Sequence, residues 1–521
     1  MYWRANAPST RLTLKCTMDC VIGLDIGTTG ARAISFGPEG RILAEYYQEY
    51  PIYTAGPSHA EQDPEEIIRI VLNVVSNVTS ATRGDIQGVG ISSVLHSLMA
   101  VDKKDKPLTP LLIWADTRAA DQSKRLRKEK GYKRIYSRTG CPSHPMYPLS
   151  KLLWIKEQMS EVFKKAHKFI SIKEYLVRKL FGVYKVDTCV ASGTGLFNIH
   201  NLSWDQKILE MLGLETGRLS EAVDGRTILR GLRPEYAENM GLSVDTPFVI
   251  GAGDGMLTNL AAGALKPGTM VSTIGTSGAL RITVKRPSVD PEGRIWCYHL
   301  MDGYWILGGA INNGGIVLRW LRDQLGESDK QEAKRSGLGA YELFDRYASK
   351  VPPGSGGLIF LPFLTGERSP NWNPNARGTL FGLCLKHTKG HVIRAMMEGV
   401  IYRLYAIYRV FKQLTDENTP ITATGGYVKS LLWLGIQADV FDREIIVPKI
   451  HEASALGAAL LAMNALGMLD NIEDFQPAID RKIGPNATNH EIYHRVYELS
   501  ERLYQRLTGE FDEIVRIQNL A

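Results

Sequence analysis

Short apolar runs suited to strands alternate along the chain with stretches of helical periodicity. The first run, Val21 to Ile26 (VIGLDI), meets a glycine-bounded turn, Gly27-Thr28-Thr29-Gly30, and a second run follows from Ala31 to Phe36. Two short strands about such a turn predict a β-hairpin. A third strand is expected across Arg41 to Tyr53. Pro64 directly after Asp63 opens a helix to about Ser80, with Ile67, Ile68, Ile70, Val71, Val74 and Val75 on its inner side. Ile86 to Ser93 reads as a buried strand, and strand–helix–strand is the α/β pattern.

Further on, Leu111 to Arg118 (LLIWADTR) is an apolar strand running into Trp, Asp and Arg, and a proline-rich loop leads into a helix at about Leu149. Pro247 to Gly255 (PFVIGAGDG) is a strand stopping at Asp254, with a small-residue helix behind it. A helix is expected over Ile316 to Leu325, a strand over Leu358 to Leu364, a long loop over Thr365 to Gly378 and a long helix over His391 to Phe411. Ile421 to Ser430 opens through Gly425-Gly426 into a helix. Ala453 to Met463 is a helix of small residues, and the charged stretch beyond Asn489 reads as one exposed amphipathic helix.

The hairpin occurs twice. Gly23 to Phe36 (GLDIGTTGARAISF) aligns without gaps on Val271 to Val284 (VSTIGTSGALRITV). Ile26/Ile274, Gly27/Gly275, Thr28/Thr276, Gly30/Gly278, Ala31/Ala279 and Ile34/Ile282 are identical pairs. Self-similarity at this separation implies two related units. The copies differ at Asp25, which is Thr273 in the second, so one turn has a carboxylate for a metal and the other has none.

Composition narrows the function only a little. The 521 residues exceed one core and suit two or three domains. The net charge of +7 is mild and interspersed, so no basic stripe points to nucleic acid. No apolar run approaches a membrane span. The scattered cysteines read as reduced thiols of a cytoplasmic protein, and the Cys16–Cys20 spacing has no second pair for zinc. Residues 1–20 are expected to be a disordered tail, with Met18 a natural chain start.

Several residues could carry chemistry, and each has a plainer reading beside it. Glycines and hydroxyls in the hairpin turn suit phosphate oxygens, and Asp25 suits Mg²⁺ held through water; the turn also works as an ordinary hairpin. Trp114, Asp116 and Arg118 offer an apolar platform and bidentate groups for a polyhydroxylated ligand, or a surface ion pair beside a core Trp. Asp254 between glycines at a strand end could be a general base or a helix cap. His144, Met146 and Tyr147 could line the same pocket or brace the loop. Lys151 could meet an anionic substrate or sit solvated on its helix.

Taken together, the segments DIGTTG, WADTR, GAGDG, IGTSG, PFLTGER, TGGYVKS and EASALGAA resemble, in order, those of the FGGY carbohydrate kinases. Gly378 to Leu383 followed by His391 to Glu398 is similar to that family's C-terminal signature, and the resemblance covers about Val21 to Leu466. It implies an α/β fold of two actin-like (ribonuclease H-like) domains with an ATP cleft between them, here expected over 21–265 and 266–521. It implies Asp254 as the base that takes the proton of the attacking sugar hydroxyl and Asp25 as the Mg²⁺-associated carboxylate. Thr28, Thr29, Arg32, Gly275, Thr276, Gly315, Arg319, Gly425, Gly426 and Ser430 match nucleotide positions, although Ser430 stands where some relatives carry Asn. His96, Trp114, Asp116 and Arg118 fall in the implied sugar site.

Within the family, His96-Ser97, WADTRA and the 144–152 segment look most like members acting on gluconate, with Arg118 and Lys151 as candidates for its carboxylate. The expected partner is therefore a small sugar or sugar acid, with a homodimer as a further expectation. D-Xylulose is the alternative substrate, and a non-catalytic actin-like nucleotide-binding protein is the alternative of another class.

Overall fold

A computed structural model describes residues 19–37, 40–56, 58–415 and 419–518. Residues 1–18 of the expected tail, Cys16 among them, lie outside these. At its inner end the tail is shorter than expected, because Asp19 and Cys20 already belong to the first strand and pair with Asp85 and Ile86.

Both copies of the repeat fold as hairpins, and each lies inside a larger sheet. Asp19–Ile26 and Gly30–Phe36 pair antiparallel, with Val21 opposite Phe36 and Ile26 opposite Ala31. Ile42–Glu49 joins the outer edge antiparallel. On the other side Asp85–Ser93 and then Phe248–Gly253 add parallel, and the short strand Ile228–Leu229 closes the sheet. The second sheet rebuilds the order: Tyr304–Ile311, Gly278–Val284 and Met270–Ile274 are antiparallel neighbours, then Ile421–Thr424 and Ile445–Pro448 add parallel. Trp296–Met301 and Ile479–Ile483 are additional edge strands. The likeness between the halves thus extends well beyond the fourteen aligned positions, although only the hairpins retain it in sequence.

Helices cover the sheets as their apolar faces require. Pro64–Ala81 starts at Asp63, whose Oδ1 accepts the Glu65 and Glu66 amides at 2.9 and 3.4 Å, and it buries Ile67, Ile70, Val71, Val74 and Val78. Lys389–Phe411 lies against the second sheet and is buried along most of its length. Ala487–Gln518 keeps one apolar face inward through Tyr493, Tyr497, Leu503, Tyr504 and Phe511.

One helix ties the halves together. Ala453–Ala465 lies in the chain between two strands of the second sheet, Ile445–Pro448 and Ile479–Ile483, yet it packs on the strands Asp19–Ile26 and Asp85–Ser93 and on the helix Asp254–Ala261. Its small residues are a steric requirement. A Cβ on Gly90 would stand 2.1 Å from the Ala458 carbonyl oxygen, and one on Gly457 would stand 2.1 Å from that of Leu257. Backbone therefore meets backbone, and any added methyl group would force the helix off the sheet.

The third strand, expected across Arg41 to Tyr53, is shorter, at Ile42–Glu49, and three further elements are shorter or tighter than expected. The strand at Leu111 ends at Leu112, because Asp116 folds back: its Oδ2 accepts the Ala60 amide at 3.0 Å and its Oδ1 the Arg118 amide at 3.2 Å. The strand at Leu358 narrows to Ile359–Leu361, since Pro362 has no N–H for a ladder. The helix from Ile316 is α-helical to Trp320 and continues as a π-turn through Leu325.

Candidate active site

The carboxyl ends of the parallel strands of an α/β sheet are where ligands bind, and here they carry the acidic groups. Register sets Asp25 beside Ser92, and Ser92 beside Ala252, two residues before Asp254. Asp25 is held from both sides: Ser92 Oγ donates to its Oδ1 at 2.6 Å, and Ser454 Oγ, from the helix that joins the halves, donates to its Oδ2 at 2.7 Å. Asp254 opens its helix, but Gly253 is the cap residue and the Asp254 side chain caps nothing further along. Among the described residues its Oδ1 accepts only the adjacent Gly255 amide, at 2.7 Å, so the helix-cap alternative fails. Burial, and then the charge of Asp25, push the Asp254 carboxyl up to about 6; the Gly255 N–H, Arg281 and Lys173 limit the rise. Lys173 is itself matched, donating to Asp187 Oδ2 at 2.7 Å and to the Ala252 carbonyl at 2.9 Å.

The first hairpin turn is braced on all sides. Tyr50 Oη donates to the Gly27 carbonyl at 2.5 Å, Gln62 to the Thr28 carbonyl at 2.7 Å and the Tyr50 amide to the Thr29 carbonyl at 3.1 Å. Trp114 Nε1 donates to Thr28 Oγ1 at 3.0 Å, joining the turn to the expected sugar platform. Arg32 lies outside this group: it pairs with Glu45 at 2.9 Å and with Glu452, and it covers the Tyr47 ring.

The second turn is built on backbone contacts. The Gly275 amide donates to the Ser277 carbonyl at 2.9 Å, and Gly315 donates to the Gly275 carbonyl at 2.7 Å. A Cβ on Gly315 would stand 2.8 Å from that carbonyl oxygen, so glycine is needed for the close approach. Arg319 Nη2 donates to Thr276 Oγ1 at 3.3 Å, while the faces of Gly275 and Gly426 are open, with no atom near where a Cβ would stand. Gly425 takes φ +95°, bringing its backbone against Ile274. Ser430 caps the helix Leu431–Phe441, its Oγ accepting the Trp433 amide at 3.0 Å.

His96 sits between the halves in the left-handed region, at φ +68°. Its Nδ1 is 2.7 Å from the Gly193 carbonyl, which can only accept, so the proton is on Nδ1 and Nε2 is left as an acceptor. Burial lowers its pKa to about 3, so the ring is neutral. It meets Tyr147 edge-on at 4.9 Å, and the Tyr147 and Tyr298 hydroxyls are 2.7 Å apart.

The two cations expected for a substrate carboxylate are already engaged. Arg118 pairs with Asp116 at 2.8 Å and with Glu61 at 2.6 Å and lies over Trp154. Asp116 is 1 % exposed, so this cluster braces the loop that carries Trp114. Lys151 is not solvated but 1 % exposed, and it donates to the carbonyls of His96, Ile113 and Leu112 at 2.7, 2.8 and 3.4 Å. Burial lowers its pKa to about 7. Its position makes it a clamp on the His96 backbone.

Two cleft residues stood in quoted segments without being singled out: Arg281 on the strand Gly278–Val284, and Arg368 at the end of PFLTGER, in the loop after Leu364. Arg281 Nη1 donates to Thr273 Oγ1 at 3.2 Å, and Arg368 Nη2 donates to the Ile311 carbonyl at 3.0 Å. A signal for the first existed: in the aligned copies Arg281 replaces buried Ala33 within an otherwise apolar strand. For hard cations, Asp25 and Asp254 supply oxygen ligands on one wall, and neither forms an ion pair among the described residues.

The sequence matches the family models of the FGGY family of carbohydrate kinases, N-terminal domain, over residues 20–261, and C-terminal domain, over residues 270–466. It is 41 % identical to a gluconokinase of Bacillus subtilis over 499 residues, 95 % of this chain and 96 % of that protein. It is 27 % identical to a xylulose kinase of Staphylococcus epidermidis over 510 residues, 96 % of this chain and 99 % of that protein. Among solved structures, a gluconate kinase from Lactobacillus acidophilus superposes with a TM-score of 0.90 at 33 % identity, covering 96 % of this chain and 100 % of its own. A ligand-bound xylulose kinase from the same organism gives a TM-score of 0.90 at 33 % identity, with 95 % and 100 % covered.

Proposed function

The chain belongs to the FGGY family of carbohydrate kinases, and from that premise we propose that it transfers the γ-phosphoryl group of ATP to the primary hydroxyl of D-gluconate, giving 6-phospho-D-gluconate. The observation that carries the chemistry is Asp254: a cleft carboxylate spared from capping, with its pKa raised toward neutrality. A base poised near the working pH is suited to take a hydroxyl proton as the phosphoryl group arrives. The substrate assignment rests on the full-length similarity to gluconokinases, which exceeds that to xylulose kinases.

In this reading the turns at Thr28, Thr29, Gly275 and Thr276 hold the phosphates, with Arg319 behind Thr276 and Arg32 fixing the hairpin from outside. Gly315 fixes the second turn, and Gly425, Gly426 and Ser430 shape the adenosine side. Trp114 and the Nε2 of His96 meet the sugar, Asp116 and Arg118 hold the Trp114 loop, and Lys151 holds His96. Asp25 would hold Mg²⁺ through the metal's waters, since each of its oxygens keeps a lone pair after accepting a serine hydroxyl. When bound, the metal would neutralise charge on the transferring phosphoryl group.

The division into 21–265 and 266–521 belongs to the same proposal, with the helix Ala453–Ala465 as the element crossing it. So does a cytoplasmic location, supported by the buried free thiols of Cys20, Cys141, Cys189 and Cys297. Among the described residues no helix is long and apolar enough to cross a membrane. A homodimer is proposed as well, supported by exposed Phe381, Leu383 and Leu385, and light scattering tests it.

³¹P NMR of the protein with ATP, Mg²⁺ and D-gluconate tests the reaction. The expected product is ADP plus a phosphomonoester whose phosphorus couples to two methylene protons. Release of inorganic phosphate alone would instead support a nucleotide-binding protein that phosphorylates no sugar.

A further inference from the structure

Buried cations around the cleft are matched, with two exceptions. Arg118 has two carboxylates, Lys151 has three carbonyls and Lys173 has Asp187. Arg127, behind the pocket, donates to the Ser143 and Trp372 carbonyls at 2.6 and 3.2 Å. Arg281 and Arg368 differ: each makes one neutral hydrogen bond, and the Nε of each is buried with no hydrogen-bond partner among the described residues. A guanidinium is always charged, and a buried unpartnered N–H is costly. The two also lie close enough for their charges to oppose one another. Asp254 acts on Arg281 and Glu367 on Arg368 through space, but neither carboxylate is hydrogen-bonded to the guanidinium, so the free N–H groups can take an added anion.

Position says which anion. Arg281 packs on Gly255, one residue from the base; a Cβ there would stand 2.9 Å from its Nη2. Arg368 lies 5.5 Å from the Trp114 ring centroid, and its charge acts on His96, Tyr147 and Tyr298. Both therefore face the acceptor pocket, whereas hydroxyls and backbone amides for phosphate oxygens are already concentrated in the two turns. We propose that Arg281 and Arg368 together bind the carboxylate of an aldonic acid acceptor and so set the preference for acid over neutral sugar. This rests on the kinase reading above and names the residues that would give it its specificity.

The test compares kcat/KM for D-gluconate and for D-glucitol, which has a neutral CH2OH in place of the carboxylate, in the wild type, Arg281→Gln and Arg368→Gln. Losing a charge-assisted pair is expected to lower the gluconate-to-glucitol ratio by about 100-fold, mainly through the KM of gluconate. Arg368→Lys, which keeps charge but loses the fork, should recover part of it. An equal fall for both acceptors, with a raised KM for ATP, would overturn the proposal in favour of a grip on the phosphoryl group.

Wild-type protein provides a measurement that needs no variant to fold. D-Gluconamide should bind about 100-fold more weakly than D-gluconate, and equal affinity would overturn the proposal while leaving gluconate phosphorylation intact. Failure of the gluconate assignment on which this rests would look different, as turnover of D-xylulose with D-gluconate untouched.

Discussion

The two hairpins share a fold, a turn and six identical positions, yet they give opposite walls to one cleft. The first ends in Asp25, and its sheet also supplies Asp254 at the next strand end but one. The second has Thr273 at the matching position and Arg281 where the first has Ala33. Thr273 binds Thr424 Oγ1 at 2.8 Å and receives Arg281 Nη1, so what is an acidic site in one copy is a neutral support for a cation in the other. Two substitutions on a common scaffold thus separate the work. In the proposed reaction the acidic wall takes a proton and suits a metal, and the basic wall suits anions. The two walls meet where Arg281 packs on Gly255, and its charge limits the rise in the Asp254 pKa.

The most severe way to break this division is at Asp254. Asp254→Asn should lower kcat by about 10³-fold or more, the upper range for loss of a general base, while ADP binding measured by calorimetry stays within a few-fold of wild type. Retained turnover would remove Asp254 from its role. Next comes Asp25→Asn, expected to reduce kcat by about 100-fold because several kcal/mol of phosphoryl charge stabilisation is lost. Raising the Mg²⁺ concentration should recover only part of that activity, and a kcat indifferent to the substitution would separate Asp25 from the chemistry.

The pH profile sharpens the contrast between the walls. A carboxyl whose pKa is raised to about 6 is a working base above that pH and is protonated below it. The kcat/KM should therefore climb about tenfold per pH unit up to about pH 6 and then level off. A flat profile from pH 5 to 8 would contradict it. The mildest change is Ser454→Ala, which removes the hydrogen bond from the connecting helix to Asp25 Oδ2. About 1 kcal/mol is at stake, so kcat should fall roughly fivefold with little change in Tm.

Much of this was legible in the sequence, for identifiable reasons. Hairpins, the Asp63-capped helix and the isolation of Asp254 follow from local rules of turn chemistry and periodicity, and the repeat announced the second sheet. What the sequence could not supply was pairing across distance. Asp116 and Arg118 looked available because Glu61 and the Ala60 amide, which engage them, lie more than fifty residues upstream. Lys151 looked solvated because its three carbonyl partners come from two other segments. Arg32 looked like a phosphate ligand, but Glu45 and Glu452 reach it from a neighbouring strand and from the other half of the chain. Arg281 and Arg368 stood in quoted segments, VSTIGTSGALRITV and PFLTGER, but an unpaired charge is visible only once every possible partner has been placed.

The most direct test of the whole account is a coupled ADP-release assay giving kcat/KM for D-gluconate and D-xylulose with the wild-type protein. An acidic wall that activates the hydroxyl, facing a basic wall that awaits a carboxylate, predicts that D-gluconate is preferred by about 100-fold, the worth of one well-formed charged contact. A higher kcat/KM for D-xylulose would contradict it.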